Sequence, residues 1–416
     1  MGLLTFAPGM NRFRMHGIVL PLTLLAVFGL SVPPSSRAAA ASTTTKKHKH
    51  KKRKTAAAAA NSSSHAAVIH TTSTRVVSTT SRTRRARRVR YNPWTEPTYA
   101  DSTIGDGIDG EDLVVRKAAV DALGPYNGSV VVADAQSGRI LSMVNQKLAT
   151  KGAFQPCSTV KMVVSLASLS EGIISSDTSM HLTRRFSMDM TQALARSNNL
   201  FFAKLGQELG FERVEKYARL FGLGEKAGLD IPGEEAGYLT EAAPETGVGM
   251  MTSFGDGIRL TPLELTSIVS TIANNGTMYY LQYPQTQDDV QKFIPRIKRE
   301  LDIANFVPAI KPGMMGAVEY GTARRANFDP SDPVFGKTGT CTDTAQPGVH
   351  LGWFGSFNDI GTKKLVVVVL LTGGRGISGP IASGIAGTVY RNLSTQNYFG
   401  APEQAPVPTT LVSMQN

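Results

Sequence analysis

One pair of residues in this sequence has the types and spacing that suit nucleophilic chemistry: Ser158 and Lys161. The apolar pattern after Pro156 predicts a helix that ends at Gly172, and residues three apart share a helix face, so the two side chains can meet. Burial among the apolar side chains of this helix lowers the pKa of an unpaired lysine until it can act as a base for the serine. The helix N-terminus also favours negative charge on Ser158. A serine N-cap beside a surface lysine has the same spacing, so the pair alone does not establish a site.

Two further polar motifs follow along the chain. Ser197 and Asn199 come directly after a predicted helix. The other motif lies in a β-rich segment and consists of Lys337, Thr338, Gly339 and Thr340. Each has an ordinary structural explanation, as a turn serine, an edge-strand lysine or a bulge glycine. Their order favours one shared site, because S-x-x-K, a second serine motif and K-T-G, in this order along the chain, are the signature of one group of serine acyl-transferring enzymes.

The three motifs and their flanks resemble the penicillin-binding protein transpeptidase domain of the serine D,D-transpeptidase and β-lactamase-like superfamily. The resemblance covers about residues 125–395 and is carried, in order, by FQPCSTVK, RSNNLFFAKLGQELG, YARLFGLGEKAGLDIPGE, SFGDGIRLTPLELTSIVSTIANNGT, EYGTARRA, FGKTGTCTD and HLGWFGSF. It implies an enzyme that needs no cofactor and is acylated by peptidoglycan stem peptides ending in D-Ala-D-Ala, and also by β-lactam antibiotics.

The resemblance also implies roles for the first two motifs. Ser158 attacks the carbonyl between the two terminal D-alanines, and Lys161 accepts its proton. Ser197 relays a proton toward the leaving amine. Asn199 holds Lys161 and the amide of the substrate.

For the third motif, the resemblance implies that Lys337 supplies positive charge for Ser197 and for the carboxylate of the substrate. Thr338 and Thr340 offer hydroxyl groups to that carboxylate. The backbone N–H groups of Ser158 and Thr340 form an oxyanion hole. Gly339 lets a substrate strand lie close to the sheet edge.

The sequence leaves the release of the acyl-enzyme open. A D,D-transpeptidase is the leading interpretation, with a D,D-carboxypeptidase or β-lactamase, or a non-catalytic penicillin-binding wall scaffold, as alternatives. A class A β-lactamase needs E-x-x-L-N between the second and third motifs, and the stretch from Glu300 to Asn305 has the wrong spacing. Class D enzymes carry valine where Asn199 stands. We therefore expect slow hydrolysis and a long-lived penicillin adduct on Ser158.

The chain has two cysteines, Cys157 and Cys341, which directly follow or precede motif residues. The resemblance places them beside both proposed oxyanion donors, where a disulfide could lock or distort the hole. Two small buried side chains are the simpler interpretation, and we favour it. With only His181 and His350 after residue 71, a metal centre is not expected.

Charge divides the chain into unlike segments. Residues 1–41 carry three basic residues and an apolar run, which predicts a signal peptide or membrane anchor, with cleavage favoured. Residues 42–92 hold fourteen basic residues and no acidic ones, which predicts a disordered low-complexity tether. Residues 93–416 hold 27 basic and 32 acidic residues, so the sequence pI of 9.6 does not indicate a nucleic-acid-binding domain.

We therefore expect an exported protein whose catalytic domain, residues 93–400, works in the periplasm or on the outer face of the inner membrane, followed by a flexible tail at 401–416. The tether is expected to act as a spacer with loose adhesion to anionic wall polymers or lipids.

The pattern of predicted elements indicates the α+β class. A hairpin is predicted over 129–144 and three strands over 333–341, 351–357 and 364–373. Between them lie helical patterns, which continue through 186–221 and include a proline-started helix over 260–276. This arrangement predicts an antiparallel sheet built from both chain ends with packed helices, plus a mainly helical subdomain.

Overall fold

A computed structural model describes residues 97–359 and 363–400 of the chain. Its α-helices, in chain order, are α1 Leu113–Leu123, α2 Gln146–Lys151, α3 Lys161–Ser170, α4 Met190–Ala195, α5 Asn199–Leu220, α6 Val248–Phe254, α7 Pro262–Ala273, α8 Gln287–Gln291, α9 Val307–Glu319 and α10 Gly379–Ser394. Short 3-10 turns span Cys157–Val160 and Arg324–Ala326.

The strands, in chain order, are β1 Gly128–Asp134, β2 Ile140–Val144, β3 Met180–Thr183, β4 Phe186–Met188, β5 Gly228–Leu229, β6 Tyr238–Leu239, β7 Ile258–Arg259, β8 Thr277–Tyr279, β9 Leu281–Gln282, β10 Ile297–Glu300, β11 Val334–Thr342, β12 His350–Asn358 and β13 Leu365–Gly373.

Five of these strands form the main sheet, in the order β11-β12-β13-β1-β2, with every neighbour antiparallel. The early hairpin β1–β2 therefore lies beside β13, the last strand within the described residues. This pairing confirms the predicted α+β class and the sheet built from both chain ends.

Helices cover both faces of the sheet. Helix α7 packs on one face against β1, β12 and β13, and α1 and α10 pack on the other face. Strand β13 is buried along its whole length, and its alternate residues enter different hydrophobic clusters: Val366 and Val368 on one side, Val367 and Val369 on the other. A strand buried on both faces is apolar at every position, which explains the run KLVVVVLLTG.

Helix α7 is the central helix and is buried at every residue. Pro262 occupies the first turn, as expected for a proline-started helix, and Thr261 caps the N-terminus in a capping box with Glu264. The buried Glu264 carboxylate also accepts a hydrogen bond from the Gly224 backbone, so it ties a distant loop to the helix start. Burial raises the pKa of Glu264 to about 7.

The segment 186–221, predicted as helical throughout, is more varied. It opens with strand β4, which pairs with β3, and only then come α4 and α5. Gly210, at a φ of 74°, divides α5 into two helical pieces. Phe186–Met188 forms a strand because it pairs with β3, and this pairing is not visible in the local sequence pattern.

The predicted leader at 1–41, the tether at 42–92 and the tail at 401–416 lie outside the described residues. Within the described part of the chain, no helix combines the length and apolar character that a bilayer crossing requires.

Candidate active site

The structure brings the three motifs together around the side-chain amine of Lys161. Its Nζ atom lies 3.0 Å from Ser158 Oγ and 3.2 Å from Ser197 Oγ. It also donates to the Ser197 carbonyl at 2.9 Å and to Asn199 Oδ1 at 2.5 Å. Ser158 lies in the 3-10 turn that enters α3, and Lys161 is the first residue of that helix, so the predicted contact across one helix face is present.

Ser197 reaches this amine because of the way α4 ends. The N–H of Ser197 donates to the Leu194 carbonyl and the N–H of Asn198 donates to the Ala193 carbonyl, which together form a Schellman motif. Ser197 occupies the left-handed position of the motif, with a φ of 55°, where glycine or asparagine is usual. A side chain costs energy there, so local structure alone does not explain a serine.

Lys337 reaches the same serine from β11, the edge strand of the main sheet. Its Nζ atom lies 2.8 Å from Ser197 Oγ and donates to the Thr338 carbonyl at 3.0 Å. Ser197 Oγ therefore lies between the two lysine amines.

The outer edge of β11 faces the site. Because the Thr338 carbonyl accepts from Lys337, it points away from the neighbouring strand β12. Backbone groups alternate in direction along a strand, so the N–H of Thr340, two residues on, lies on the same outer edge. The Thr340 side chain is exposed, and its hydroxyl accepts a hydrogen bond from the Gly379 backbone.

Gly339 has a packing role within the protein. A Cβ atom at this position would lie 2.9 Å from the Pro156 carbonyl oxygen and 3.2 Å from Thr159 Cγ2. The glycine thus lets the turn that carries Ser158 approach the sheet closely. The expected approach of a substrate strand is a separate role and remains a prediction.

Both lysines of the site are fully buried. Burial lowers the pKa of Lys161 to about 7. Burial, and then the proximity of Lys161, hold the pKa of Lys337 well below its usual range. Neither lysine pairs with a carboxylate within residues 97–359 and 363–400, so their environment favours the neutral amine.

The preference for two separate thiols was wrong. Cys157 and Cys341 form a disulfide, with their Cα atoms 5.7 Å apart. The cysteines are separated by 184 residues in the chain, and Gly339 lets the turn and the strand that carry them pack closely. Sequence reasoning could place both beside motif residues but could not measure the distance between them.

Two further residues of the site were not identified from the sequence. The Thr322 hydroxyl lies 2.6 Å from the Thr338 hydroxyl, and it belongs to the stretch EYGTARRA. The Phe202 ring centre lies 5.4 Å from Lys161 Nζ. Phe202 follows Asn199 by three residues on α5, a spacing that places both on one helix face and could have indicated it.

Comparison with known proteins assigns the chain that carries this site to a family. The model of the penicillin binding protein transpeptidase domain matches residues 128–393. The chain belongs to the penicillin-binding protein transpeptidase family. The matched region includes all the motif residues and both cysteines.

Individual relatives agree with this family. Stage V sporulation protein D of Bacillus subtilis is 31% identical over 218 residues, which cover 48% of this chain and 33% of that protein. Peptidoglycan D,D-transpeptidase MrdA of Haemophilus influenzae is 23% identical over 354 residues, covering 65% and 54%. Peptidoglycan D,D-transpeptidase FtsI of Escherichia coli K12 is 27% identical over 182 residues, covering 36% and 31%. The chain thus spans between a third and about half of the length of these relatives.

Proposed function

We propose that the protein is a serine D,D-transpeptidase that is acylated at Ser158 by peptidoglycan stem peptides ending in D-Ala-D-Ala, and by β-lactams. One observation carries the proposal: a buried lysine amine without a carboxylate partner in the described chain touches both Ser158 and Ser197. Membership of the transpeptidase family and the names of the relatives support the same reaction class.

The hydrogen bonds of Lys161 suit a general base. A neutral lysine amine has two N–H groups and one lone pair. The Ser197 carbonyl and the Asn199 amide oxygen can only accept, so they take the two N–H groups. The lone pair is then left for a serine hydroxyl, and Ser158 Oγ at 3.0 Å is nearer than Ser197 Oγ at 3.2 Å. Asn199 is proposed to hold Lys161 in this orientation.

In the acylation step, a bond forms between Ser158 Oγ and the carbonyl carbon of the penultimate D-alanine, and Lys161 takes the hydroxyl proton. The oxyanion would accept from the N–H groups of Ser158 and Thr340, each worth about 3 kcal/mol in related sites. As the C–N bond breaks, a proton passes through Ser197 to the leaving amine, and D-alanine departs.

The third motif is proposed to hold the terminal carboxylate of the stem peptide. Thr340 has an exposed side chain whose hydroxyl accepts from the Gly379 backbone, and Thr338 lies two residues before it on the same face of β11. A carboxylate arriving beside Lys337 favours the protonated form of this lysine, which burial disfavours in the free protein. Substrate binding and charge on Lys337 are therefore coupled.

An amine is the proposed acceptor for the acyl group because the described site lacks the carboxylate base that class A β-lactamases direct at water. Within the described residues no carboxylate bonds to the Ser158–Lys161–Ser197 group. Glu300 lies in β10, which pairs with β8 in a separate two-stranded sheet. Asn305 lines a surface cavity with Leu169, at the opposite end of α3 from the serine. These positions support a transpeptidase over a class A β-lactamase.

Because peptidoglycan lies outside the cytoplasm, we propose that the protein is exported and acts on the outer side of the inner membrane. The apolar run in residues 1–41 supports this proposal.

A stem peptide ending in D-Ala-D-Ala, supplied with a D-amino acid as acceptor, tests the function. We expect release of D-alanine together with an exchanged peptide that carries the acceptor, and loss of both products in Ser158→Ala. Release of D-alanine without exchange at any acceptor concentration would instead indicate a D,D-carboxypeptidase. A Ser158→Ala variant that keeps its activity would refute the assignment of the nucleophile.

A further inference from the structure

The disulfide between Cys157 and Cys341 joins two parts of the site that the chain brings together from 184 residues apart. Cys157 directly precedes Ser158, and Cys341 directly follows Thr340. The inference below rests on the proposed function, in which the N–H groups of Ser158 and Thr340 bind the oxyanion.

The N–H groups on either side of this bond are available for a ligand. Ser158 lies in the first turn of a helical segment, where N–H groups have no partner within the helix. The N–H of Thr340 lies on the outer edge of β11. The two donors therefore belong to different elements, and their separation depends on how the turn is held against the strand.

Apart from the disulfide, the turn is held to β11 by packing. Within the described residues, no hydrogen bond joins the turn Cys157–Val160 to β11. The nearest tie to the sheet is the hydrogen bond from Trp353 Nε1, on β12, to the Gln155 carbonyl at 3.0 Å. The disulfide is thus the one direct bond between the two donor-bearing segments in the described chain.

The backbone conformation of Cys157, at one end of the disulfide, sets the direction of the Ser158 N–H. Cys157 has a φ of 51°, a left-handed conformation that costs a residue with a side chain about 1–2 kcal/mol. The peptide group between Cys157 and Ser158 carries the Ser158 N–H. If Cys157 relaxed to the usual negative φ, this peptide group would rotate and the N–H would point elsewhere.

We propose that the Cys157–Cys341 disulfide is a positioning element for acylation: it fixes the direction of the Ser158 N–H and its separation from the Thr340 N–H. Breaking the bond then lowers the rate constant of the acylation step and changes the initial binding of the β-lactam little. Removal of a complete oxyanion donor costs about 100- to 1000-fold, and a misaligned donor is expected to cost about 10- to 100-fold.

The test measures acylation of the full-length protein by a fluorescent penicillin, in a concentration series that separates the initial dissociation constant from the acylation rate constant. The variants are Cys341→Ala, which removes the bond but keeps Cys157, and Cys157→Ala with Cys341→Ala. We expect the acylation rate constant to fall about 10- to 100-fold in both, with the dissociation constant changed by less than about threefold.

Reduction of the wild type by dithiothreitol offers a test that needs no variant. Dithiothreitol supplies two electrons and two protons, the disulfide becomes two thiols, and the reagent becomes its cyclic disulfide. We expect the rate constant to fall on reduction and to recover on reoxidation, and the alanine variants to be insensitive to the reagent.

Two results would overturn the proposal. One is an unchanged acylation rate constant after loss of the bond, with the wild type still acylated at Ser158. The other is a loss that follows the fraction of unfolded protein, measured by circular dichroism in the same samples, because the bond would then act on stability alone. Failure of the wild type itself to be acylated would instead refute the proposed function.

Discussion

At the scale of single residues, the burial of Lys161 decides what the site can do. A lysine in water is protonated at neutral pH, whereas here burial lowers the pKa to about 7. The side chain also contacts two oxygen atoms that can only accept hydrogen bonds. Helix α3 packs against the end of α4 and the start of α5, which buries Lys161 and places both oxygen atoms beside it. The apolar residues around Lys161 in the sequence indicate this burial.

The pH dependence of acylation tests this base. Lysine is protonated below its pKa, so the fraction of neutral Lys161 rises with pH and saturates above about 7. We expect the second-order rate constant for a fluorescent penicillin to rise by about tenfold per pH unit below the midpoint and then level off. Lys161→Arg should lose at least about 100-fold at every pH, because arginine stays protonated. A flat profile for the wild type, or a midpoint near that of free lysine, would contradict the role.

The Ser197→Gly variant distinguishes the catalytic role of the Ser197 hydroxyl from the effect of its backbone conformation on stability. Ser197→Gly removes the hydroxyl but suits the left-handed φ of 55° better than serine does. We expect the melting temperature to stay level or rise slightly while release of D-alanine falls by about 100-fold or more. Ser197→Ala, which keeps the strained Cβ, is the matched control and should lose the same activity. If the glycine variant released D-alanine at the wild-type rate, the proposed relay would be wrong.

At the scale of elements, the site depends on the contact between the turn Cys157–Val160 and strand β11. Gly339 makes this contact close, and the disulfide between Cys157 and Cys341 fixes it. Trp353, buried on β12, binds the chain just before the turn. Three elements from different parts of the chain thus determine where Ser158 lies.

Gly339→Ala tests the closeness of this contact. The added Cβ would meet the Pro156 carbonyl oxygen at 2.9 Å, so the turn must move away from the strand. We expect a loss of about 1–3 kcal/mol in the free energy of unfolding, together with slower acylation. Gly384→Ala, in α10, is the control: its Cβ would meet its nearest neighbour at 3.4 Å, an ordinary contact, and should be neutral or slightly stabilising. Equal urea midpoints for the two variants would show that the contact at 339 is not tight.

The elements near the site could largely be predicted from the sequence. An apolar run followed by Gly172 predicted α3, and an apolar run that begins at Pro262 predicted α7. The hairpin β1–β2 was predicted from its two β-branched segments. The α+β class and the antiparallel sheet built from both chain ends were also correct. The disulfide was misjudged, since its formation depends on packing between distant segments. The strand β4 was missed for the same reason.

At the scale of the whole molecule, the excess of positive charge and the motif residues lie in different parts of the chain. The basic residues before residue 93 are balanced by no acidic residue, whereas the part from 93 onward has an excess of five acidic residues. From this division we expect any attraction to anionic surfaces to be a property of the N-terminal part.

Deletion of residues 42–92 tests this division. We expect the protein without its leader to bind vesicles of anionic lipid weakly and in a salt-dependent manner, and to lose this binding on deletion, because each basic residue contributes at most about 1 kcal/mol. Acylation by penicillin should not change. Vesicle cosedimentation at low and physiological salt measures the binding. Undiminished binding after the deletion would make the segment a spacer without adhesion.

The intact mass of the full-length protein, followed over time after addition of benzylpenicillin, tests the central claim most directly. Acylation opens the β-lactam ring without a leaving group, so we predict one adduct with the full mass of the drug, located on the peptide that contains Ser158. This adduct should persist after free drug is removed and be absent from Ser158→Ala. No adduct on the wild type, an adduct that survives in Ser158→Ala, or rapid return to the unmodified mass with hydrolysed drug in solution would contradict the account.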